Sequence, residues 1–140
     1  MLSTNKGLIK WYDKESQSGV ILANDKNIGN VLIEKGVVPS GVNLDMNDPV
    51  YFDYSQNSKG VWATAVEISS KSKGKVKWFD HKKKFGYITP NQSGKKDVLV
   101  TYQVIQSDWE EFNWEDIVLY DFVDTPKGPR ASWVDSFGQP

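Results

Sequence analysis

Between residues 77 and 87 the sequence interleaves cations with rings: Lys77, Trp78, Lys82, Lys83, Lys84, Phe85 and Tyr87. Rings displayed beside lysines can stack bases while the ammonium groups meet phosphates, a chemistry of binding rather than of bond-making. Each stacked base contributes about 1–3 kcal/mol and any base serves, because all have a π-face. The phosphate contribution is salt-dependent, since it comes from displaced counterions.

Catalytic chemistry finds little to work with. The single histidine, His81, sits in a lysine-rich turn, where it reads as a solvated residue. There is no cysteine, so thiolate chemistry and a disulfide framework are both excluded, and His81 alone cannot build a zinc site. Glu110 and Glu111 read as surface charges, and no spacing pairs a general acid with a base. SerGlyLys at 93–95 and LysGlyPro at 127–129 are turn chemistry, not a phosphate loop. The expectation is a non-enzyme with no catalytic residue, no metal and no cofactor.

The elements that must position these residues are short strands. Segments 75–80, 85–89, 97–101, 117–123 and 131–134 are β-branched or aromatic, and turn signals at 90–95 and 125–129 separate them. No segment sustains a 3.6-residue apolar period. Five short strands without partner helices suit a small barrel, which also removes exposed edges. On a strand, Phe85 and Tyr87 point one way and Gly86 and Ile88 the other, while Val98 and Val100 oppose Leu99 and Thr101. The aliphatic set makes a core, which leaves Phe85 and Tyr87 looking outward. Alternation alone would place Trp78 on the same face as Val76.

The chain also repeats itself. At an offset of 67, Gly7, Lys10, Trp11 and Asp13 meet Gly74, Lys77, Trp78 and Asp80, and Gly19, Ile21 and Val31 meet Gly86, Ile88 and Val98. After one inserted residue the offset is 68, pairing Asp48, Val50, Lys59 and Val66 with Asp116, Val118, Lys127 and Val134. Two homologous units follow, at 1–68 and 74–140, joined by a linker at 69–73.

Charge is segregated between them. The formal net charge is -1, yet residues 71–96 hold nine Lys against one acid, Asp80, while 1–68 hold six Lys against eight acids. Such a chain can present a basic face while staying near neutral overall. No apolar run is long enough to span a membrane, and the first residues lack a secretory pattern. A cytoplasmic protein is the expectation.

The segment GKVKWFD at 74–80, followed by KFGYITP at 84–90 and DVLVTY at 97–102, resembles the bacterial cold-shock protein and Y-box cold-shock domain family. The likeness covers 73–135 and places the two later segments on that family's ribonucleoprotein motifs. It implies an all-β chain of two tandem five-stranded OB-fold barrels, the second binding single-stranded RNA or DNA through surface aromatics with low sequence specificity, in the manner of an RNA chaperone. Carried over by position, Lys77, Trp78, Phe85, Tyr87, Tyr102 and Trp109 become ligand contacts, with Lys83 and Lys84 beside them. An outward Trp78 then requires an irregularity in its strand. Three departures stand out: Lys84 replaces a common glycine, and Leu99 and Thr101 replace a Phe and a His on the binding face. Two stacking groups are lost, so weaker binding than in a typical member is expected.

The first unit keeps the fold residues and loses the ligand residues. Ser18 and Val20 stand where Phe85 and Tyr87 do, and Glu34 and Lys35 stand at Thr101 and Tyr102. Trp11, with Tyr12 and Lys10, remains from the binding set. The unit reads as a degenerate domain that extends the track through Trp11, packs against its sibling, contacts a protein, or serves as a spacer. The alternative function is an OB-fold adaptor with a protein partner at the first domain or at the acidic, ring-rich loop 108–116. A third reading has that loop or the first domain covering the basic face.

Overall fold

The computed structural model describes residues 5–140, and the chain divides into two compact units after Ser69. The first contains β1 (Asn5–Asp13), β2 (Ser18–Ala23), β3 (Asn30–Ile33), β4 (Pro49–Asn57) and β5 (Gly60–Glu67). They close into a barrel in the order β1-β2-β3-β5-β4, with β4 returning to pair with β1. The second contains β6 (Ser72–Asp80), β7 (Phe85–Pro90), β8 (Val98–Thr101), β9 (Ile117–Thr125) and β10 (Gly128–Ser136), closed in the order β10-β8-β7-β6-β9. The all-β, two-barrel expectation is met. Strand β6 begins at Ser72, so the last residues of the expected linker 69–73 already pair with β9.

The period-two pattern explains the cores. In the second barrel Val76, Ile88, Val98, Val100, Val118, Ala131 and Val134 converge with Phe112 and Tyr120. Ile9, Ile21, Val31, Ile33, Val50, Ala63 and Val66 fill the first with Phe52. The repeat register thus carries equivalent side chains into both interiors, while the alternate residues face outward.

Each first strand is bulged at the same place. In β6 the pairing runs Val76 with Ile88, then Trp78 with Tyr87, leaving Lys77 as the extra residue. In β1 it runs Ile9 with Ile21, then Trp11 with Val20, leaving Lys10 extra. Val76 also bonds the turn before β9: Val76 N–H donates to Asp116 O at 2.9 Å and Glu115 N–H donates to Val76 O at 2.8 Å. That turn is held by Asp116, whose carboxylate accepts from Asn113 N–H at 2.9 Å. Burial pushes the Asp116 carboxyl above the usual range, against the pull of that bond and one from Ser136.

Candidate nucleic-acid interface

The bulge turns Trp78 outward, and the ring remains 40% exposed. It meets both rings of β7, with centroids 5.4 Å from Phe85 at 75° and 5.4 Å from Tyr87 at 58°. Gly86 makes this approach possible: a Cβ there would lie 2.1 Å from the Trp78 carbonyl oxygen and 2.7 Å from Phe79 Cα. Phe85 and Tyr87 are half-buried, each ring lying edge-on or tilted against the indole.

A second ring group lies past the end of β8, where two single turns of 3-10 helix run from Tyr102 to Val104 and from Trp109 to Glu111. Tyr102 and Trp109 pack edge-to-face at 5.7 Å, and the Lys84 Nζ sits 5.2 Å and 5.4 Å from their respective centroids. His81 stacks on Trp109 at 6.4 Å. Lys84 adopts φ 62, the left-handed region where glycine is at home. Its counterpart Gln17 has φ 56, so the hairpin geometry is common to both barrels. Cation–π contact, about 0.5–1 kcal/mol at an exposed site, offsets part of the conformational cost of a lysine there.

The lysines divide into tethered and open. Lys77 Nζ donates to the Asp97 carboxylate at 2.7 Å. Lys82 and Lys83 lie in the exposed turn, their backbone N–H groups donating to Asp80 Oδ1 at 2.9 Å and 3.0 Å. Those bonds, the one from Lys83 first, hold the Asp80 carboxyl below its ordinary range.

Read across the strands, the face is a row: Trp78 pairs with Tyr87, Tyr87 with Leu99, and Leu99 with Arg130. Beside it a groove of about 460 Å³ runs from Tyr87 and Leu99 to Lys96, Lys127 and Arg130. Thr101 lies opposite Phe85, and its hydroxyl oxygen is buried with no hydrogen-bond partner among the described residues. Arg130, Lys96 and Lys127 were not among the residues the sequence nominates. Arg130 enters through the parallel β8–β10 pairing, which no local periodicity reveals, whereas the basic turn 125–129 was a visible signal for Lys127.

The corresponding row in the first barrel is Trp11, Val20, Leu32 and Trp62. Trp11 is exposed, but Val20 is only 8% accessible and offers no ring. Glu34 is exposed beyond the end of β3.

Residues 72–137 match the family model of the 'Cold-shock' DNA-binding domain. The cold shock-like protein CspI of Escherichia coli is 43% identical over 68 residues, which span 48% of this chain and 96% of that protein. The chain belongs to the cold-shock domain family. The cold shock-like protein CspE of Buchnera aphidicola is likewise 43% identical over 68 residues, 48% of this chain and 97% of its own. The solved structure of drosophila Unr CSD456 aligns over 96% of this chain and 61% of its own length, at 13% identity and a TM-score of 0.40. The bulged strand, the ring pair on β7 and the basic groove all fall inside the matched cold-shock domain. Among the described residues no cluster of His, Cys, Asp or Glu is arranged to hold a metal, and no helix is long and apolar enough to cross a membrane.

Proposed function

We propose that this cold-shock protein binds single-stranded RNA or DNA through its second domain, with low sequence specificity and without catalysing a reaction. The observation that carries this reading is the cluster of Trp78, Phe85 and Tyr87, in which the half-exposed indole lies 5.4 Å from each of the two β7 rings on one barrel face. Aromatic platforms of this kind stack successive bases, and the flanking Lys82, Lys83, Lys96, Lys127 and Arg130 supply the counter-charge for the backbone. Trp109 and Tyr102, capped by Lys84, offer a further stacking position at the end of the row. Such a binder prevents weak intramolecular pairing by holding bases apart, which is the action of an RNA chaperone. Loss of rings at Leu99 and Thr101 makes its grip weaker than a full aromatic set would give.

The localising experiment is an amide-shift titration of the full chain with a short oligothymidine. Shifts in the second domain, centred on β6, β7 and the 102–109 segment and reaching Lys96, Lys127 and Arg130, support the reading. Shifts centred on β1 to β3 would move the site to the first domain and overturn it.

A protein-docking reading is favoured by one observation in the first domain: the row of Trp11, Val20, Leu32 and Trp62 ends on an indole where the second domain's row ends on Arg130. Apolar docking is insensitive to salt, and phosphate binding is not, so a salt series separates the two.

A further inference from the structure

A second groove, of about 620 Å³, is cut into the second barrel between the start of β6, strand β9 and the 90–96 turn. Four lysines line it, Lys71, Lys73, Lys95 and Lys96, against one carboxylate, Asp124. Lys71 is tied to Asp121 and lies over the Trp133 ring, so it shapes the wall. Lys95 and Lys96 are exposed on the turn. Into the same groove opens Phe122, 44% exposed, its ring 6.1 Å from that of buried Tyr120. A lone exposed ring needs no function. This one faces a lysine wall, and the groove is continuous with the binding face: Lys96 and Pro129 line both it and the groove that starts at Tyr87.

The geometry points to an extension of the strand-binding track. A single-stranded nucleic acid engaged at Tyr87 continues past Leu99 and Lys96 into the second groove, where Phe122 stacks a further base and Lys95 and Lys96 meet its phosphates. Phosphates recur at every nucleotide, and a strand leaving Tyr87 on this side meets Lys96 and then Lys95 and Lys73. The inference rests on the proposed strand binding at Trp78, Phe85 and Tyr87 and adds a site to it. It also assigns Phe122, which lies outside both ribonucleoprotein-type segments, a role in ligand length preference.

The test is anisotropy of labelled oligothymidines of about six and about twelve nucleotides, lengths within the span one OB barrel covers, titrated with the full chain. Phe122→Ala and Lys95→Glu are each expected to lower affinity for the longer strand about fivefold or more while leaving the shorter strand unchanged. Phe122 is solvent-facing and Lys95 lies on a turn, and a thermal melt checks that each variant folds; if Phe122→Ala does not, Lys95→Glu decides. Variants that bind the longer strand like the parent, or that lose both lengths equally, overturn the extension. Failure of the shorter strand to bind the parent protein instead overturns the underlying reading.

Discussion

Lys77, the extra residue of the β6 bulge, donates its ammonium proton to Asp97 at 2.7 Å, so the lysine nearest Trp78 is already paired with a carboxylate. A phosphate competes with that carboxylate for one ammonium. Replacing Lys77 by Ala should therefore reduce the salt slope of binding by less than about one unit. Asp97→Asn should do the opposite, raising affinity at low salt by freeing the charge. A salt series on both variants checks this, and an unchanged or lower affinity in Asp97→Asn would count against Lys77 as a phosphate contact.

Phe85→Ala and Tyr87→Ala should each cost about 1–3 kcal/mol of binding free energy. Neither ring belongs to the core cluster of Val76, Ile88 and Val100, so the barrel should remain folded. Substitution of Val20 by another aliphatic residue of similar size should leave binding untouched. Equal affinity in all three would mean that the β7 rings do not stack on ligand.

Gly86→Ala should be among the most damaging single changes, costing about 3 kcal/mol of stability. The new methyl would lie 2.1 Å from the Trp78 carbonyl oxygen, and backbone cannot rotate away as a side chain can. Gly19→Ala meets the Trp11 carbonyl at 2.4 Å and should weaken the first barrel in the same way. Denaturant melts of the two variants provide the measurement.

Lys84 separates conformational cost from cation–π gain. Lys84→Gly relieves the left-handed backbone but removes the ammonium from Tyr102 and Trp109, so stability should change by less than about 1 kcal/mol. Lys84→Ala keeps the cost and loses the contact, and it should be about 1 kcal/mol less stable than the glycine variant. Equal stabilities would show that φ 62 carries no strain there.

The turn carboxylates give the protein an acid-sensitive edge. Asp80 is held below its ordinary pKa by N–H donors, and Asp13 by the Ser16 hydroxyl and the Glu15 N–H. A depressed folded pKa contributes stability above the unfolded value and loses it as pH falls through the folded one. Asp80→Asn should therefore remove part of the stability loss below about pH 4 and leave the neutral-pH dependence unchanged. Thermal melts across that acid range make the comparison.

Much of this was legible in residue order, for physical reasons that differ by element. The two barrels follow from strands short enough to read by alternation and from a repeat whose single insertion keeps β4 and β9 in step. Phe85 and Tyr87 fall outward because glycine and isoleucine occupy the positions between and after them. Trp78 was legible only through family resemblance, since strict alternation buries it with Val76 and the bulge at Lys77 leaves no mark on the residue pattern. Asp97 as the partner of Lys77, and Arg130 as the end of the row, depend on pairing between distant strands. Lys84 was readable as a departure from glycine, but its place over two rings required the positions of Tyr102 and Trp109.

The most direct test of the central claim is the anisotropy of labelled oligothymidine and oligouridine titrated with the intact chain at low and moderate salt. Binding in the micromolar range or tighter that weakens as salt rises, and that falls away in the Phe85→Ala, Tyr87→Ala double variant, is the predicted result. Absence of binding at low salt, or binding indifferent to salt and to the loss of both rings, would contradict it.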